Sequence, residues 1–435
     1  MLIRSPSSYA FRNMHFATST PRLFLLPALL VLALCVGCSA SVDTTADDTT
    51  AERDAQTVAE KESTLHARAE RIADEHVLID GHIDVPYRLR RYEEDISRSA
   101  PLGDFDYPRA KAGGLDAPFM SIYIPVERQD DYAGARALAD SLIDMVEGFT
   151  ERAPDKFAIA PSPQAVRRQS EQGLISLPMG LENGAPIGED LSNLQHFYDR
   201  GIRYITLAHA EPNQISDSSY DEERVHGGLS DFGREVVREM NRLGMMVDVS
   251  HITDEAFDDV MEETQAPVIA SHSSARHFTP GWERNMSDPM IQRLAENGGV
   301  IMINFGSSFL RDEYQDDDDP ARENVSQFVE RKGLPRSDSA AVRYYQKQRR
   351  AHPIGTVGDV ADHIDHVVDL VGIEHVGLGS DYDGVFALPA GLQDVRAYPN
   401  LIEELLRRGY TEDEIAKILG GNLLRVWSEV EQGAE

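Results

Sequence analysis

The chain has almost no cysteine. Its 435 residues include two, Cys35 and Cys38, and both lie near the amino terminus. The rest of the sequence therefore excludes a disulfide framework, a thiolate metal site and a cysteine nucleophile. If the body of the chain binds a metal ion, the ligands are histidine and carboxylate side chains.

Positive charge is also scarce. Lys+Arg residues number 42 against 74 Asp+Glu residues, and the formal net charge is -32. Lysine occurs only at positions 61, 111, 156, 332, 347 and 417. An acidic surface repels phosphate, which argues against nucleic acid as a partner. The same composition suits high salt, where ions screen self-repulsion, and ordinary solubility is the alternative explanation.

Residues 1–38 have the pattern of an export signal. A basic region with three arginines precedes the apolar run 23–36, which is short for a membrane span of ~20 residues. The ending LCVGC resembles a bacterial lipoprotein box. It predicts a lipid anchor at Cys38 and a place in the periplasm or cell envelope. An ordinary cleaved signal and an uncleaved anchor are the alternatives.

Residues 39–64 offer little apolar surface, since they are mostly Ser, Thr, Asp, Ala and Glu. This composition predicts a disordered acidic tether. No later stretch approaches membrane-spanning length, so we expect membrane contact only through the leader or its lipid. We expect one folded domain over residues 65–435.

From residue 65 onward, short apolar runs alternate with longer amphipathic stretches, as is typical of a parallel α/β fold. Eight runs have the length of buried strands, the number that a (β/α)₈ TIM barrel needs. They are His76–Asp84, Phe119–Val126, Ile175–Glu182, Tyr204–His209, Met245–His251, Pro267–His272, Gly299–Phe305 and His375–Asp381.

Most of these strands end on a side chain that can bind metal or carry a proton. The carboxyl ends of barrel strands form the active site in TIM-barrel enzymes, so we expect these side chains to meet at one mouth. They are His82, Asp84, Glu182, His209, His251, His272 and Asp381.

Five of these side chains have the chemistry of a zinc pair. His82 and Asp84 face the same side of an extended strand. His251 and His272 are separated by the length of one helix with its loops, so neighbouring strands deliver them side by side. Glu182 lies in the glycine-flanked segment GLENG and offers two oxygens that can bridge two cations. Two zinc ions ~3.5–4 Å apart would polarise a carbonyl.

For each of three further polar residues, the sequence allows two interpretations. Asp381 is either a proton shuttle or a turn residue, although Asp383 suits the turn better. His209 either donates a hydrogen bond to an oxyanion or is a satisfied core histidine. Arg284 either binds a carboxylate or lies on the surface, and Arg276 competes with it for the first role.

Other histidines do not lie at strand ends, and we treat them as structural or solvent-facing. His363 and His366 share a helix face, but the sequence shows nothing that completes a site there. The run Asp316–Asp319 is interpreted as a solvated loop rather than a calcium site. The remaining histidines of this group are His196, His226, His277 and His352.

Taken together, the segments resemble the membrane (renal-type) dipeptidases, peptidase family M19. The resemblance extends over residues 70–430 and is carried by LIDGHIDVP, GLENG, RYITLAHAEPNQISDSS, MMVDVSHITDEAF, APVIASHSSAR, RNMSD, VGLGSDYDGV and GGNLLRVW. After His209 the chain reads Ala-Glu-Pro-Asn where animal members have a Ser-Cys-Asn segment, which leaves the side-chain preference open.

The resemblance implies a TIM barrel of the metal-dependent hydrolase type with two zinc ions per chain. It implies that His82 and Asp84 bind one ion and that His251 and His272 bind the other. Glu182 would bridge the two ions, and a hydroxide held between them would attack the peptide carbonyl.

For the substrate, the resemblance implies a dipeptide, in bacterial members often with a D-residue at the second position. His209 would bind the carbonyl or the intermediate, Arg284 the carboxylate, and Asp381 would transfer a proton to the leaving amine. Some members open β-lactam rings, and family members are often homodimers.

Two other functions stay open. Related amidohydrolases are lactonases, phosphotriesterases or deaminases, and many bridge their metal ions with a carbamylated lysine. No lysine occurs between positions 156 and 332, so that bridge is missing from the middle of the barrel. The second alternative is a non-catalytic surface lipoprotein that binds metal or peptides.

Overall fold

The alternation in the sequence becomes ten strands in the described part of the chain. The structure, a computed structural model, describes residues 62–315, 320–335 and 338–434. The strands are β1 (Leu78–Ile83), β2 (Leu115–Tyr123), β3 (Phe157–Ile159), β4 (Ile175–Leu177), β5 (Met179–Glu182), β6 (Ile202–Thr206), β7 (Met246–Asp248), β8 (Ile269–Ser273), β9 (Val300–Ile303) and β10 (Val376–Leu378).

Eight of the strands form one parallel sheet in the order β1-β2-β5-β6-β7-β8-β9-β10. The sheet closes beyond its first and last strands, where Asp84 N donates to Tyr382 O at 2.9 Å and Asp381 N donates to His82 O at 3.1 Å. A parallel bridge also joins Ile83 to Tyr382. The predicted (β/α)₈ TIM barrel is confirmed.

Helices follow most of the barrel strands and cover the outside of the sheet. They are α1 (62–75), α2 (Val85–Arg91), α3 (Tyr107–Ala112), α4 (Tyr132–Arg152), α5 (Pro163–Glu171), α6 (Ser192–Asp199), α7 (Asp231–Leu243), α8 (Asp254–Glu263), α9 (Asp288–Glu296), α10 (Ser307–Leu310), α11 (Pro320–Lys332), α12 (Ser339–Ala351), α13 (Val357–Val371), α14 (Tyr398–Arg408), α15 (Glu412–Ala416) and α16 (Asn422–Gln432).

Helix α7 illustrates how the sequence sets these elements. The Ser230 side chain accepts a hydrogen bond from Gly233 N and caps the start of the helix. Gly244 has φ 73 and ends it, in a conformation that glycine adopts without strain. Its buried face consists of Gly233, Val236, Val237, Met240 and Leu243. Each fully buried aliphatic side chain contributes ~1.5–3 kcal/mol to folding.

The barrel strands are buried on both sides. Every residue of β1, β5, β6 and β8 is buried, the polar residues included. The fold therefore has to satisfy several charged groups inside a closed sheet, which is costly unless hydrogen bonds or cations compensate them.

One predicted strand is wrong. The run Ile175–Glu182 forms two strands separated by Pro178, because proline has no N–H to donate to a continuous ladder. Strand β4 pairs with β3 in a separate two-stranded sheet, whereas β5 joins the barrel between β2 and β6.

The predicted tether, 39–64, ends too late. Residues 62–64 are helical and form the start of the described part of α1. That helix is anchored by the buried residues Ala69, Ile72 and Ala73, and helical structure extends from them to residue 62. The predicted leader, 1–38, the rest of the tether and the run Asp316–Asp319 lie outside the described residues. Within the described ranges, no helix has the length and apolar character that crossing a membrane requires.

Candidate metal centre

The strand ends converge as expected. Three overlapping groups of side chains each present ligand atoms within 4.8 Å of one another. The groups are His82 with Glu182 and His272, Glu182 with His209 and His251, and His82 with Asp84 and Asp381. The mouth of the barrel therefore holds all seven of the predicted strand-end side chains.

Glu182 lies at the centre of this cluster. Its Oε2 is 3.3 Å from Nε2 of His82. Its Oε1 is 3.4 Å from Nε2 of each of His209, His251 and His272. The two carboxylate oxygens thus face imidazoles from different strands, which is the arrangement that a bridging ligand requires. Although burial alone would raise it, the pKa of Glu182 lies well below its usual range, because His82 and His209 favour the carboxylate.

The surroundings of the buried histidine nitrogens suit bound metal ions. Nε2 of His82 is buried and has no hydrogen-bond partner among the described residues, although carboxylate oxygens of Glu182 and Asp84 lie 3.3 and 3.5 Å away. Nε2 of His251 lies 2.7 Å from Nε2 of His272. Three imidazoles and two carboxylates that point at common positions form the N/O ligand set that zinc prefers. The predicted ligands therefore fit a metal pair.

Asp381 lies beside the His82–Asp84 half of the cluster. Its side chain is nearly buried and accepts a hydrogen bond from Asn304 Nδ2 at 2.9 Å. Burial, together with the Asp84 carboxylate, raises its pKa well above the usual value. Asp383 instead accepts hydrogen bonds from Arg88 Nε at 2.8 Å and Asp104 N at 2.7 Å, outside the cluster. Of the two aspartates, only Asp381 belongs to the cluster.

His209 lies at the edge of the cluster, against other rings. Its ring centroid is 4.8 Å from that of Tyr123 and 4.3 Å from that of His251. Burial lowers the pKa of His209, which favours a neutral imidazole. Its Nδ1 has no hydrogen-bond partner in the described part of the chain. A ring held in this way can present an N–H to a ligand.

Arg284 is buried at the mouth, and its exposed fraction is 2%. Its Nη1 donates to Ser273 Oγ at 2.7 Å, and its Nη2 lies 2.8 Å from His272 O and 3.0 Å from His251 Nε2. Arg276, the competing candidate, forms an ion pair with Asp254 and does not reach the cluster. Of the two candidate arginines, only Arg284 contacts the cluster.

A family model described as Membrane dipeptidase (Peptidase family M19) matches residues 66–435, which include every residue of this cluster. The chain belongs to the membrane dipeptidase family, M19.

Similar proteins support the assignment. Dipeptidase aclJ of Aspergillus oryzae is 36% identical over 370 residues, which are 82% of this chain and 79% of that protein. The crystal structure of the probable dipeptidase PvdM from Pseudomonas aeruginosa superposes with a TM-score of 0.72 at 27% identity, covering 86% of this chain and 100% of that one. A metallopeptidase from Rhodobacter sphaeroides, liganded with a phosphinate mimic of the dipeptide L-Ala-D-Ala, has a TM-score of 0.67 at 26% identity and covers 82% and 100%.

Two of the candidate ligands in this M19 metallopeptidase, His82 and His272, are oriented by residues that the sequence did not reveal. The Tyr204 hydroxyl lies 2.8 Å from Nδ1 of His82. Ser271 Oγ lies 2.7 Å from Nδ1 of His272 and donates to Asp248 Oδ2 at 2.6 Å. Partners of this kind fix the ring orientation and leave Nε2 free to face the metal. Two features of the sequence could have indicated these partners: the position of Tyr204 within its strand and the serine immediately before His272.

Two glycines make these close approaches feasible. A Cβ on Gly180 would overlap the Tyr204 ring, and a Cβ on Gly384 would overlap carboxylate oxygens of Asp381 and Asp84. In both cases the absence of a side chain lets a functional group of the M19 site reach its position.

The backbone is strained at two site residues. His251 has φ 72 and Asp381 has φ 60, in the left-handed region that residues other than glycine adopt rarely. Such conformations cost of order 1–3 kcal/mol and persist where the surrounding structure fixes them. The His251 carbonyl, for example, accepts a hydrogen bond from Ser219 N at 2.7 Å. The strain turns both side chains into the mouth at the point where the chain leaves the barrel.

Tyr220 lies at the rim of the site and was not predicted. Tyr220 is 41% exposed, and its ring centroid is 5.4 Å from that of His251 and 6.2 Å from that of Trp282. It comes from the long segment between β6 and α7, where no periodic pattern singles it out.

Proposed function

We propose that this M19 member is a binuclear zinc dipeptidase. The observation that carries the proposal is the position of Glu182, whose Oε2 faces His82 while its Oε1 faces His251 and His272. Zinc ions held by His82, Asp84, Glu182, His251 and His272 would supply Lewis-acid polarisation of the scissile carbonyl and activation of water.

The protein residues would select and align the substrate. Arg284 would bind the carboxylate of a dipeptide through its guanidinium, because such pairs form charge-assisted bidentate hydrogen bonds. This contact selects the peptide bond next to a free C-terminal carboxylate, which in a dipeptide is its one peptide bond. His209 would donate a hydrogen bond to the carbonyl oxygen as negative charge develops on it.

Asp381 would carry the proton. As water adds to the carbonyl carbon, the Asp381 carboxylate takes one of the two protons of that water. The C–N bond then breaks, and the same proton passes to the leaving amine nitrogen. The products are two free amino acids.

The second residue of the preferred substrate is proposed to have the D configuration. The mimic of L-Ala-D-Ala bound by the related metallopeptidase supports this choice. The test is a panel of L-Ala-L-Ala, L-Ala-D-Ala, its C-terminal amide, a lactone, a phosphotriester and a β-lactam, assayed with zinc-loaded enzyme at low and high salt. We expect hydrolysis of dipeptides with a free carboxylate and the highest kcat/KM for the L-D form. Hydrolysis of the lactone or phosphotriester in preference to every dipeptide would overturn the proposal.

Export and anchoring through Cys38 are proposed on the leader sequence alone. Labelling with a fatty-acid analogue tests them, because the wild-type chain should take up the label in the cell envelope and Cys38→Ala should not.

A homodimer is likewise proposed from the family resemblance, and sedimentation equilibrium would reveal it.

A further inference from the structure

A second group of potential metal ligands lies outside the barrel mouth. His277, Asp288 and His366 each offer one ligand atom, and these atoms all lie within 4.8 Å of one another. The sequence pairs His366 only with His363, on the same helix. The fold places potential ligands from two other elements beside His366, and nothing in the sequence indicated them.

The three side chains come from three separate elements. His277 lies in the 3-10 turn Arg276–Phe278, Asp288 is the first residue of α9, and His366 lies on α13. Nε2 of His366 is 2.8 Å from Oδ1 of Asp288. The imidazole rings of His277 and His366 are stacked, with centroids 4.4 Å apart and an angle of 23° between the planes.

The group is accessible to solvent. His277 is exposed, and the side chains of His366 and Asp288 are 18% and 41% exposed. An ion could enter without any opening of the fold, and water could complete its coordination. Small adjustments of the exposed His277 side chain also cost little free energy, because no buried side chain has to move with it.

The support beneath the group is rigid. The Phe278 ring packs 4.4 Å from the His363 ring and 5.7 Å from the His366 ring. His363 is fully buried, with Nδ1 accepting from Ala275 N at 3.1 Å and Nε2 donating to Leu310 O at 3.0 Å. The turn that carries His277 is therefore fixed to the helix that carries His366.

Asp288 keeps its negative charge without an arginine or lysine partner among the residues that the structure describes. The neighbouring carboxylates on α13 are already paired: Asp362 and Asp365 both pair with Arg408, and Asp362 also pairs with Arg311. Arg311 lies 4.8 Å from the Phe278 centroid and pairs with Asp359 at 2.8 Å. Among the described ion pairs, Asp288 meets only His366, so its carboxylate can attract a cation.

We propose that His277, Asp288 and His366 form a peripheral site for a borderline divalent transition-metal ion, with zinc as the occupant. Two imidazoles and one carboxylate with an open side suit zinc, nickel or copper and not calcium or magnesium, which prefer oxygen ligands. The ion would join the turn after β8 to α9 and α13. That turn begins a few residues after His272 and leads to Arg284, so the peripheral ion would clamp the segment that connects two groups of the main site.

The test counts zinc bound by the full-length holoenzyme after dialysis against micromolar free zinc. The readout is the difference between the wild type and the double variant His277→Asn/His366→Gln, so it does not depend on how many ions the main site holds. We expect the double variant to bind one zinc fewer per chain and to keep its kcat. The exposed His352→Asn is the matched control and should bind as many ions as the wild type.

A second measurement separates loss of the site from loss of the fold. Added zinc should raise the Tm of the holoenzyme, and this rise should vanish in the double variant, whereas the Tm without added zinc should stay within ~2 °C of the wild type. Equal zinc content in the wild type and the double variant would overturn the proposal. It would leave Asp288 and His366 as an ordinary hydrogen-bonded pair between α9 and α13.

Discussion

The Asn304 side chain donates a hydrogen bond to Asp381 Oδ2 across 2.9 Å, just beyond the ends of β9 and β10. Its own Oδ1 accepts from Gly306 N at 2.7 Å, which fixes the orientation of the amide. The contact therefore aims the Asp381 carboxyl group at the mouth. It joins a residue with no acid-base chemistry of its own to the proposed proton carrier.

Asp381→Asn should keep both metal ions and lose most turnover, by ~10²–10⁴-fold in kcat, because an amide cannot carry the proton.

Asn304→Ala should keep the metal content and lower kcat by about 10-fold, since the Asp381 carboxyl group loses its orientation. Steady-state kinetics with metal analysis checks both. A near-native rate in Asp381→Asn would remove that residue from the mechanism.

Tyr204→Phe should weaken zinc binding by ~10–100-fold without unfolding the barrel, because His82 loses the hydrogen-bond partner of its Nδ1. Competition with a chromophoric chelator measures the affinity. Tyr198→Phe is the control, since that ring stacks on Arg203 at 4.2 Å, away from the mouth. Equal zinc affinity in the Tyr204 variant and the control would mean that the hydroxyl does not tune the ligand.

Arg284→Ala should raise KM for dipeptides with a free carboxylate by ~10–100-fold, the loss expected for one or two charged hydrogen bonds. Arg284→Lys should fall between the wild type and the alanine variant, because it keeps the charge without the bidentate geometry. The comparison uses L-Ala-D-Ala and its C-terminal amide. An equal loss on both substrates would contradict carboxylate recognition by Arg284.

Stability should depend on pH through His363. Burial lowers the pKa of His363 to about 4 in the folded state, from the ordinary 6.5. Between these two values, the unfolded chain binds a proton that the folded chain does not. The neutral His363 side chain therefore contributes fully to the free energy of unfolding above pH 6.5. This contribution is lost as the pH falls towards 4, by about 3 kcal/mol in the free energy of unfolding.

His363→Leu provides the check. The variant loses two hydrogen bonds and should be less stable at every pH, but its stability should fall less steeply between pH 6.5 and 4. Urea unfolding across that interval gives both slopes. Parallel slopes in the two proteins would show that His363 does not carry this pH dependence.

The sequence sufficed to predict the barrel and the convergence of the strand-end side chains, because both depend on patterns within short local segments. Strand ends with histidine or carboxylate are visible without knowledge of the partners, and the barrel brings any such ends to one mouth. The error at Ile175–Glu182 is local too, since Pro178 is present in the sequence and should have divided the run.

The supporting contacts could not be predicted in the same way. Tyr204 and His82 are 122 residues apart, and Asp288 and His366 are 78 apart. Their contact depends on strand order, on the register of the sheet and on how α9 packs beside α13. A tyrosine inside a strand or an aspartate at a helix start is ordinary until the fold shows which side chain it meets.

The most direct test of the central claim is a zinc titration of metal-free enzyme that is followed through L-Ala-D-Ala hydrolysis. The His277→Asn/His366→Gln background keeps peripheral binding out of the count. We predict that activity rises to a plateau at two zinc ions per chain, and that Glu182→Ala in the same background neither retains two ions nor regains activity. A plateau at one ion, or a Glu182→Ala variant with two ions and a wild-type rate, would contradict a metal pair bridged by Glu182.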